Sequence, residues 1–270
     1  MKASDEEEEL SRSARVERVP HDEFEELSPS VTGRSTNLSS KIVMTCVINQ
    51  PNYIPWRGYF HQIRKADVFV FYDDVQYDKH GWRNRNRVKT VNGPVWLAIP
   101  VRNKGVVENH TPINQVAIDW TKDWPRKHWM TIKQSYGKAP FFNDYAAELE
   151  EFYKTHHELL ADLTIELTIT LALALGITGT KFLRSSSLNA EGTKTDRLLR
   201  ILQSLGATHY ISGPAARNYL EEDKLADAGI SLEYMVYDYP EYRQLYPPYD
   251  PHVSVLDLLF MTGADSAKYI

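Results

Sequence analysis

The segment of residues 72–89, YDDVQYDKHGWRNRNRVK, is highly polar and interleaved with aromatic residues, and the side chains of its strip at residues 77–89 could bind an anion. Residues 79–107 hold seven bases and no acid: Lys79, Arg83, Arg85, Arg87, Lys89, Arg102 and Lys104. On an extended strand Arg83, Arg85 and Arg87 would share one face, because successive side chains point to opposite sides. Arginine forks bind phosphate groups through paired hydrogen bonds. The strip therefore indicates a phosphate, a pyrophosphate or a nucleic-acid backbone as ligand, with a solvated strand face as the alternative.

A pair of carboxylates stands just before this strip. Asp73 and Asp74 follow the apolar run of residues 66–72, which is typical of a buried strand. At the carboxyl end of a parallel strand they could act as a general base, accept ribose hydroxyls or hold Mg²⁺ beside a nucleotide phosphate. Asp74 is the first catalytic candidate, because the polar strip continues from it through Gln76 and Tyr77, and Asp73 is the second. The alternative is that both acids cap the following turn.

The loop of residues 50–60, QPNYIPWRGYF, carries further ligand-binding candidates. They are two amides, two aromatic residues and a glycine: Gln50, Asn52, Tyr53, Trp56 and Gly58. The amides could read an amide or a hydroxyl group, the rings could stack on a base or a ribose, and the glycine would let a helix approach closely. The alternative is a proline-stiffened packing loop. The chain has no GxGxxG and no GxxxxGK[ST] segment, so neither a dinucleotide fingerprint nor a Walker loop is present.

Two later segments complete the candidate set. Ser212 and Gly213 close a strand and precede a helix, where backbone N–H groups could contact an anion or a carbonyl. Tyr242 and Gln244 lie in an aromatic loop that could cover a sugar or a base, and packing against the sheet end is the alternative. The substrate-binding candidates in the strip itself are Gln76, Tyr77, Lys79, Trp82, Arg83, Asn84, Arg85 and Lys89.

The elements that must position these residues follow an α/β rhythm. Predicted strands cover residues 42–48, 66–72, 180–186, 208–212 and 230–239, a hairpin lies within 88–101, and predicted helices cover 56–65, 194–205, 215–228 and 253–261. Three helical segments are predicted between Trp120 and Gly176, the last favoured over a strand because Leu163, Leu167 and Leu171 recur at i+4. We therefore predict an α/β fold: a mostly parallel Rossmann-like sheet with flanking helices, a β-hairpin and a helical insertion at about residues 120–176. In such a sheet the three polar segments should converge on one cleft at the carboxyl edge.

Composition divides the chain into a tail and a body. Residues 1–41 hold ten acids and six bases with few large apolar residues, and we predict a disordered acidic tail. Residues 42–270 are predicted to form a single α/β domain. The whole-chain charge of −5 leaves this body nearly neutral, which disfavours a protein that coats duplex DNA. The lone Cys46, the acidic N-terminus and the lack of an apolar run long enough to span a bilayer predict a cytoplasmic protein.

Four ordered motifs resemble those of the WbqC-like family of bacterial proteins. They are QPNYIPWRGYF, ADVFVFYDDVQYDKHGWRNRNRVKTVNGPVWLAIPV, THYISGPAARNYL and SVLDLLF, and the resemblance runs from about Met44 to the C-terminus. It implies a role in surface polysaccharide or O-antigen synthesis, with aminoacyl (glycyl) transfer as the activity proposed for some members. It supplies no established catalytic residue. A weaker analogy is to nucleotidyltransferases similar to pantothenate synthetase, although their HxGH motif is missing here and Trp56 and Tyr59 occupy that region.

Together these observations predict a cytosolic transferase that moves an acyl or aminoacyl group to an activated or nucleotide-linked sugar precursor. Its partners would be a small phosphorylated or nucleotide-linked substrate and an aminoacyl donor. The cofactor that the residues could hold is a nucleotide, with or without Mg²⁺. No dedicated metal site is expected, because the nine histidines show no HxxxH pairing. The alternatives are a nucleic-acid-binding module that uses residues 77–89, or a nucleotide binder of the nucleotidyltransferase type.

Overall fold

The computed structural model describes residues 43–102, 106 and 109–270. The predicted acidic tail, residues 1–41, and the strip residue Lys104 lie outside the described residues. In chain order the strands are β1 (Thr45–Asn49), β2 (Val68–Phe71), β3 (Arg85–Thr90), β4 (Gly93–Ala98), β5 (Lys181–Arg184), β6 (His209–Ser212) and β7 (Ser231–Tyr234). The α-helices are α1 (Arg57–Lys65), α2 (Trp124–Tyr136), α3 (Phe142–Phe152), α4 (Leu160–Ala174), α5 (Lys194–Ser204), α6 (Glu222–Asp227) and α7 (Val255–Thr262).

Five strands form one parallel sheet in the order β5-β2-β1-β6-β7, and β3 pairs with β4 in a separate antiparallel hairpin. The predicted α/β fold with a parallel Rossmann-like sheet and a hairpin is therefore confirmed. Side chains of the central strands alternate between two apolar clusters, with Val47 and Phe69 in one and Cys46 and Val70 in the other. Because both faces of the sheet are covered, β1 and β2 appear in the sequence as continuous apolar runs.

All five strands are parallel, but the side of the sheet on which new strands are added changes at β1. From β1 the chain runs to β2 and later to β5 on one side, and it then adds β6 and β7 on the other side. Val47 in β1 pairs with Phe69 in β2 and with Ile211 in β6. A reversal of this kind leaves a crevice outside the carboxyl ends of the two strands that flank it. The topology therefore places a cavity at the ends of β1 and β6.

The hairpin differs from its predicted form at its first strand. β3 begins at Arg85, so the expectation that Arg83, Arg85 and Arg87 share one strand face is wrong for Arg83. Asn84 still bonds to Ile99, through its backbone carbonyl at 2.7 Å and through its side chain at 2.8 Å. Arg83, one residue earlier, lies outside β3 and donates to the side chain of Asn52. Arg85 and Arg87 do share a face.

That shared face of the hairpin carries an exposed indole. The guanidinium carbons of Arg85 and Arg87 lie 4.8 and 5.8 Å from the centre of the Trp96 ring, within the range of cation–π attraction. At the tip, Thr90 pairs with Gly93, which has a φ of 99°. The turn chemistry predicted at residues 92–93 is confirmed, because this φ suits glycine.

The helices follow the prediction with one exception. Three helices, α2 to α4, occupy the segment between Trp120 and Gly176, and α4 is helical as the leucine spacing indicates. The helix predicted at 215–228 is divided: a 3₁₀ turn covers Pro214–Asn218, Tyr219 leaves the helical conformation with a φ of −141°, and only α6 is α-helical. Within the described ranges, no helix is long and apolar enough to cross a membrane.

The last predicted strand is shorter than expected. β7 ends at Tyr234, whereas its apolar and aromatic pattern continues to Tyr239. The backbone N–H of Met235 still donates to Ser212, but Tyr237 and Tyr239 then turn to pack against the indole of Trp56. Aromatic packing against α1 thus replaces further strand pairing.

Candidate functional site

A cavity of about 510 Å³ lies at the carboxyl ends of β1 and β6, where the sheet topology predicts it. We call it the switch-point cleft. It is lined by Ile48, Asn49, Gln50, Tyr72, Val75, Arg83, Lys194, Leu198, Tyr210, Ser212, Gly213, Ala215, Ala216 and Tyr219. The lining holds two cations and no carboxylate. Segments from the first loop, the strip and the end of β6 therefore converge on one cavity, as expected for a parallel sheet.

The two cations reach the switch-point cleft from different elements. Burial lowers the pKa of Arg83 to about 10, which leaves its guanidinium charged at neutral pH. The Nε atom of Arg83 is buried without a hydrogen-bond partner among the described residues. Lys194 is exposed at the start of α5, with a φ of 50° that non-glycine residues rarely adopt. The cleft is thus suited to an anionic ligand.

Aromatic and amide side chains surround these cations. Tyr72, Tyr210 and Tyr219 line the cleft, and the guanidinium of Arg197 lies 5.1 Å from the centre of the Tyr72 ring. Asn49 is held by a hydrogen bond of 2.8 Å to the side chain of Gln62. Tyrosine rings could stack on a base, and fixed amides could read polar groups on a ligand.

Asp73 and Asp74, the two carboxylates that precede the strip, have different surroundings. Asp73 is fully buried and accepts hydrogen bonds from the backbone N–H and the hydroxyl of Ser186 at 3.1 and 2.9 Å. Its oxygens are held inside the fold, so Asp73 does not line the cleft as its predicted catalytic role requires. Asp74 accepts from the Ser185 hydroxyl and from Arg197, both at 2.5 Å.

These contacts determine whether Asp73 and Asp74 can act as a general base or bind a metal ion. Asp74 lies in sequence between two lining residues, Tyr72 and Val75. It would have to release Ser185 or Arg197 before it could accept a proton from a substrate. Asp73 is the less accessible of the two to a metal ion, because its oxygens are buried and bonded to Ser186. In the described part of the chain, no group of three or more His, Cys, Asp and Glu side chains is placed to hold a metal ion.

A second cavity, of about 480 Å³, opens beside the hairpin. We call it the aromatic cavity, and it is lined by Asn52, Pro55, Trp56, Trp82, Asn86, Arg87 and His252. Trp82 is 43% exposed and lies with its ring centre 5.3 Å from that of Trp96. The side-chain oxygen of Asn52 accepts a hydrogen bond from Arg83. Through this contact a lining residue of the aromatic cavity touches a lining residue of the switch-point cleft.

Gly58 shapes the aromatic cavity by leaving space for the side chain of Trp56. A Cβ atom at this position would lie 2.6 Å from Cη2 of the Trp56 indole, closer than carbon atoms pack. The missing side chain therefore makes room for the indole over the first turn of α1. Tyr237 packs edge-on against the same indole, with ring centres 4.9 Å apart. The predicted close approach at Gly58 is thus that of a tryptophan ring, which forms one wall of the aromatic cavity.

Several predicted ligand contacts belong to the interior instead. Lys89 is 3% exposed, and its ammonium donates to the side chain of Gln244 and to the carbonyl of Pro248. Tyr242 is buried and donates to Asp257 at 2.8 Å. Lys89, Tyr242 and Gln244 therefore satisfy one another inside the fold and line neither cavity. Their polar groups compensate for burial, which is the structural alternative to ligand binding.

Tyr53 is also a core residue rather than a stacking surface. It is fully buried, and its hydroxyl lies 2.9 Å from Nδ1 of His128 and 2.6 Å from the hydroxyl of Tyr153. The ring cannot reach a ligand in either cavity. Burial lowers the pKa of His128 to about 4, so this imidazole is neutral near pH 7.

The remaining candidates lie elsewhere on the strip. Gln76, Tyr77 and Lys79 line a third, more open hollow of about 380 Å³. Asn84 serves the hairpin, as described above. Arg85 donates to the carbonyl of His80 at 2.5 Å and holds the loop that precedes the hairpin.

Residue patterns had not singled out several of the lining residues. Lys194 lines the switch-point cleft from the first turn of α5, and only its position after a strand of a parallel sheet could have marked it. Arg197, also near the start of α5, does not line the cleft but contacts Asp74 and the Tyr72 ring. His252 comes from the loop before α7 and lines the aromatic cavity beside Arg87, which is 165 residues earlier in the sequence. No local motif encodes that contact.

The comparisons with known proteins point to one family. The sequence profile of the WbqC-like protein family matches residues 50–269. The chain is similar to an uncharacterised protein of Mycobacterium tuberculosis, Rv1507c, with 40% identity over 225 residues that cover 83% of this chain and 96% of the relative. No solved structure matches the chain at a significant level. The matched range includes all lining residues of the aromatic cavity and all those of the switch-point cleft except Ile48 and Asn49. The chain belongs to the WbqC-like protein family.

Proposed function

We propose that this protein is a cytoplasmic transferase that moves an acyl or aminoacyl group to a nucleotide-linked or otherwise activated sugar precursor of bacterial surface polysaccharide. The observation that carries the proposal is the lining of the switch-point cleft, which has Arg83 and Lys194 as cations and no carboxylate. Clefts at this place in open α/β sheets bind nucleotides and related ligands. Membership of the WbqC-like family supports the biosynthetic context.

The cleft offers complementary groups for each part of a nucleotide. Arg83 and Lys194 would bind phosphate oxygens, because charge-assisted hydrogen bonds are the strongest that a phosphate accepts. The rings of Tyr72 and Tyr219 would stack on the base or the ribose. Gln50 would read a polar substituent from the end of β1. These contacts bind and orient the ligand.

In the transfer itself, an amine or hydroxyl of the acceptor would attack the carbonyl carbon of the acyl donor. The bond from that carbon to the donor's leaving group would then break, and the nucleophile's proton would pass to a base. Asp74 is the proposed base, and it becomes available when the Ser185 hydroxyl or Arg197 exchanges its hydrogen bond for one to the substrate. Bringing acceptor and donor into one cleft supplies much of the rate enhancement.

A second candidate function rests on the exposed face of the hairpin. Trp82 and Trp96 are 43% and 50% exposed, and Arg85 stacks on the second ring. Exposed aromatic rings beside arginines also bind single-stranded nucleic acid. That function would depend on the outer face of the hairpin and not on the switch-point cleft.

The test is ligand binding by a lysine variant and its matched control. Lys194→Ala removes a cation from the cleft, and Lys181→Ala removes an exposed lysine at the opposite, amino edge of the sheet. Sugar nucleotides should raise the melting temperature of the wild type and of Lys181→Ala. Lys194→Ala should weaken binding by about tenfold, as expected for the loss of one charged hydrogen bond.

The same binding measurements distinguish the second candidate. Nucleic-acid binding through the hairpin would show steep salt dependence, because several phosphates are neutralised at once. If oligonucleotides bind in the micromolar range at physiological salt while no sugar nucleotide shifts the melting temperature, the transferase proposal is wrong. Equal binding by the two lysine variants would exclude the switch-point cleft as the site.

A further inference from the structure

We propose that the aromatic cavity binds the sugar ring of the same ligand whose nucleotide part occupies the switch-point cleft, an inference that rests on the proposed function. The two cavities adjoin at the hydrogen bond from Arg83 to Asn52. Arg83 lines the cleft, and Asn52 lines the aromatic cavity. In a nucleotide-linked sugar the phosphates stand between nucleoside and sugar. Phosphates bound at Arg83 would therefore place the nucleoside on one side and the sugar on the other.

The walls of the aromatic cavity suit a sugar ring. Two indoles, Trp56 and Trp82, and the imidazole of His252 supply flat faces, with the rings of Trp56 and His252 centred 5.9 Å apart. The C–H faces of a pyranose are apolar and pack on such rings, whereas its rim of hydroxyl groups needs hydrogen-bond partners. A cavity with mostly apolar walls and a few polar groups is typical of a small-molecule site.

The polar groups of the cavity are mainly donors. Asn86 is already satisfied, since its amide donates to the carbonyls of Tyr53 and Ile54 and its oxygen accepts from the backbone of Arg87. The Nε of Arg87 is buried and has no hydrogen-bond partner among the described residues. Asn52 accepts from Arg83 through its oxygen, so its amide N–H₂ group is the part that can donate to a ligand.

The charge at this cavity is moderate. Arg87 lies 3.8 Å from a carboxylate oxygen of Asp250, and its guanidinium also donates to the carbonyl of His252 at 3.4 Å. None of the lining residues is an acid. Donors in a lining without acids favour ligand atoms that accept hydrogen bonds, which a sugar presents as hydroxyl, acyl or carboxylate oxygens.

Contacts within the protein hold one wall of the cavity in place. Trp56 is fixed between Gly58 and Tyr237, so that one indole is already in place before binding. Trp82 is more exposed and also lines the cavity. A prearranged aromatic site loses little conformational entropy when a ring enters it.

The test compares sugar nucleotides with the matching free nucleotides on the full chain. UDP-, GDP- and dTDP-linked hexoses are titrated by calorimetry against UDP, GDP and dTDP. For the pair that binds best, the attached hexose should improve the dissociation constant of the wild type by about fivefold, the size expected for one aromatic contact. Trp82→Ala should abolish this gain and leave binding of the free nucleotide unchanged. Trp82→Phe should restore most of it, because a phenyl ring still offers a stacking face.

Trp96→Ala is the matched control. Its ring lies beside Trp82 and is equally exposed, but it does not line the cavity. This variant should keep the gain. A gain that survives Trp82→Ala, or one that Trp96→Ala removes, would overturn the inference. Equal weakening of free nucleotide and sugar nucleotide by Trp82→Ala would also overturn it, because the base and not the sugar would then occupy the cavity.

The inference and the proposed function can fail separately. If free nucleotides bind the wild type but no hexose adds affinity, the cleft function stands and the sugar site is rejected. If neither free nor sugar-linked nucleotides bind the wild type, both are rejected.

Discussion

Arg83 donates a hydrogen bond to the side-chain oxygen of Asn52, and through this contact one residue of the switch-point cleft is fixed by one residue of the aromatic cavity. Arg83 comes from the segment before the hairpin, and Asn52 comes from the loop after β1. The orientation of the cation in the cleft therefore depends on a side chain that does not line the cleft.

Asn52→Ala should weaken nucleotide binding to the cleft without removing any residue that lines it. Loss of the amide oxygen leaves the Arg83 guanidinium without its side-chain acceptor, and we expect the dissociation constant of a nucleoside diphosphate to rise by about fivefold. Calorimetric titration measures this change. Asn143→Ala, an exposed change on α3, is the control and should leave binding unaltered. An unchanged dissociation constant for Asn52→Ala would show that Arg83 needs no such anchor.

Gly58→Ala should displace the Trp56 indole, because the added Cβ would lie 2.6 Å from its Cη2 atom. We expect a change in tryptophan fluorescence and a loss of binding at the aromatic cavity. The control is Gly179→Ala, since a Cβ at Gly179 would meet no atom within 4 Å. If Gly58→Ala keeps the fluorescence spectrum of the wild type, the indole has another way to fit.

Asp73→Asn should destabilise the protein more than Asp74→Asn does. Asp73 is fully buried and accepts two hydrogen bonds from Ser186, and an amide group would turn an N–H₂ toward those donors. We expect a loss of about 3 kcal/mol for Asp73→Asn and about 1 kcal/mol for Asp74→Asn, whose side chain is partly solvated. Thermal melting of the two variants gives the comparison. A larger effect for Asp74→Asn would reverse the assignment of Asp73 as the structural member of the pair.

His128 should make the free energy of unfolding depend on pH. Burial lowers the pKa of His128 from 6.5 to about 4, so between these values the unfolded chain binds a proton that the folded chain does not. Stability therefore rises with pH across this window and is fully present above about pH 6.5. The contribution of this one group is about 3 kcal/mol between the two ends.

The measurement for His128 is the difference in melting temperature between pH 7 and pH 4.5. His128→Gln should show a smaller difference than the wild type, because the glutamine does not titrate. His80→Gln, at an exposed position, should behave like the wild type. Equal pH dependence in all three proteins would mean that folding does not shift the pKa of His128.

The sheet could be predicted from the chain because each of its parts has a local signal. Residues 68–71 are apolar throughout because β2 is covered on both faces, and Gly93 marks the hairpin tip through its backbone conformation. Ser212 and Gly213 could be placed at the cleft because they close a predicted parallel strand and precede a predicted helix. Arg83 and Gln50 also reach the cleft as expected.

The failures share one physical cause, which is packing between distant segments. Lys89 has the composition of a phosphate ligand, but Gln244 and Pro248, more than 150 residues later, occupy its ammonium group. Tyr53 is in a polar loop, yet its hydroxyl is satisfied by residues 75 and 100 positions away. Polar residues that serve each other and polar residues that serve a ligand have the same local sequence pattern.

The central place of β1 also sets a condition on the synthesis of the protein. Thr45 meets Asp67, at the start of its first neighbouring strand, after 22 residues, whereas Met44 meets Thr208, at the start of the second, only after 164. Until β6 has left the ribosome, one edge of β1 has unpaired backbone groups and can pair with another nascent chain. The growing polypeptide therefore has an unpaired edge on its central strand through most of its translation, until the chain extends past Ser212.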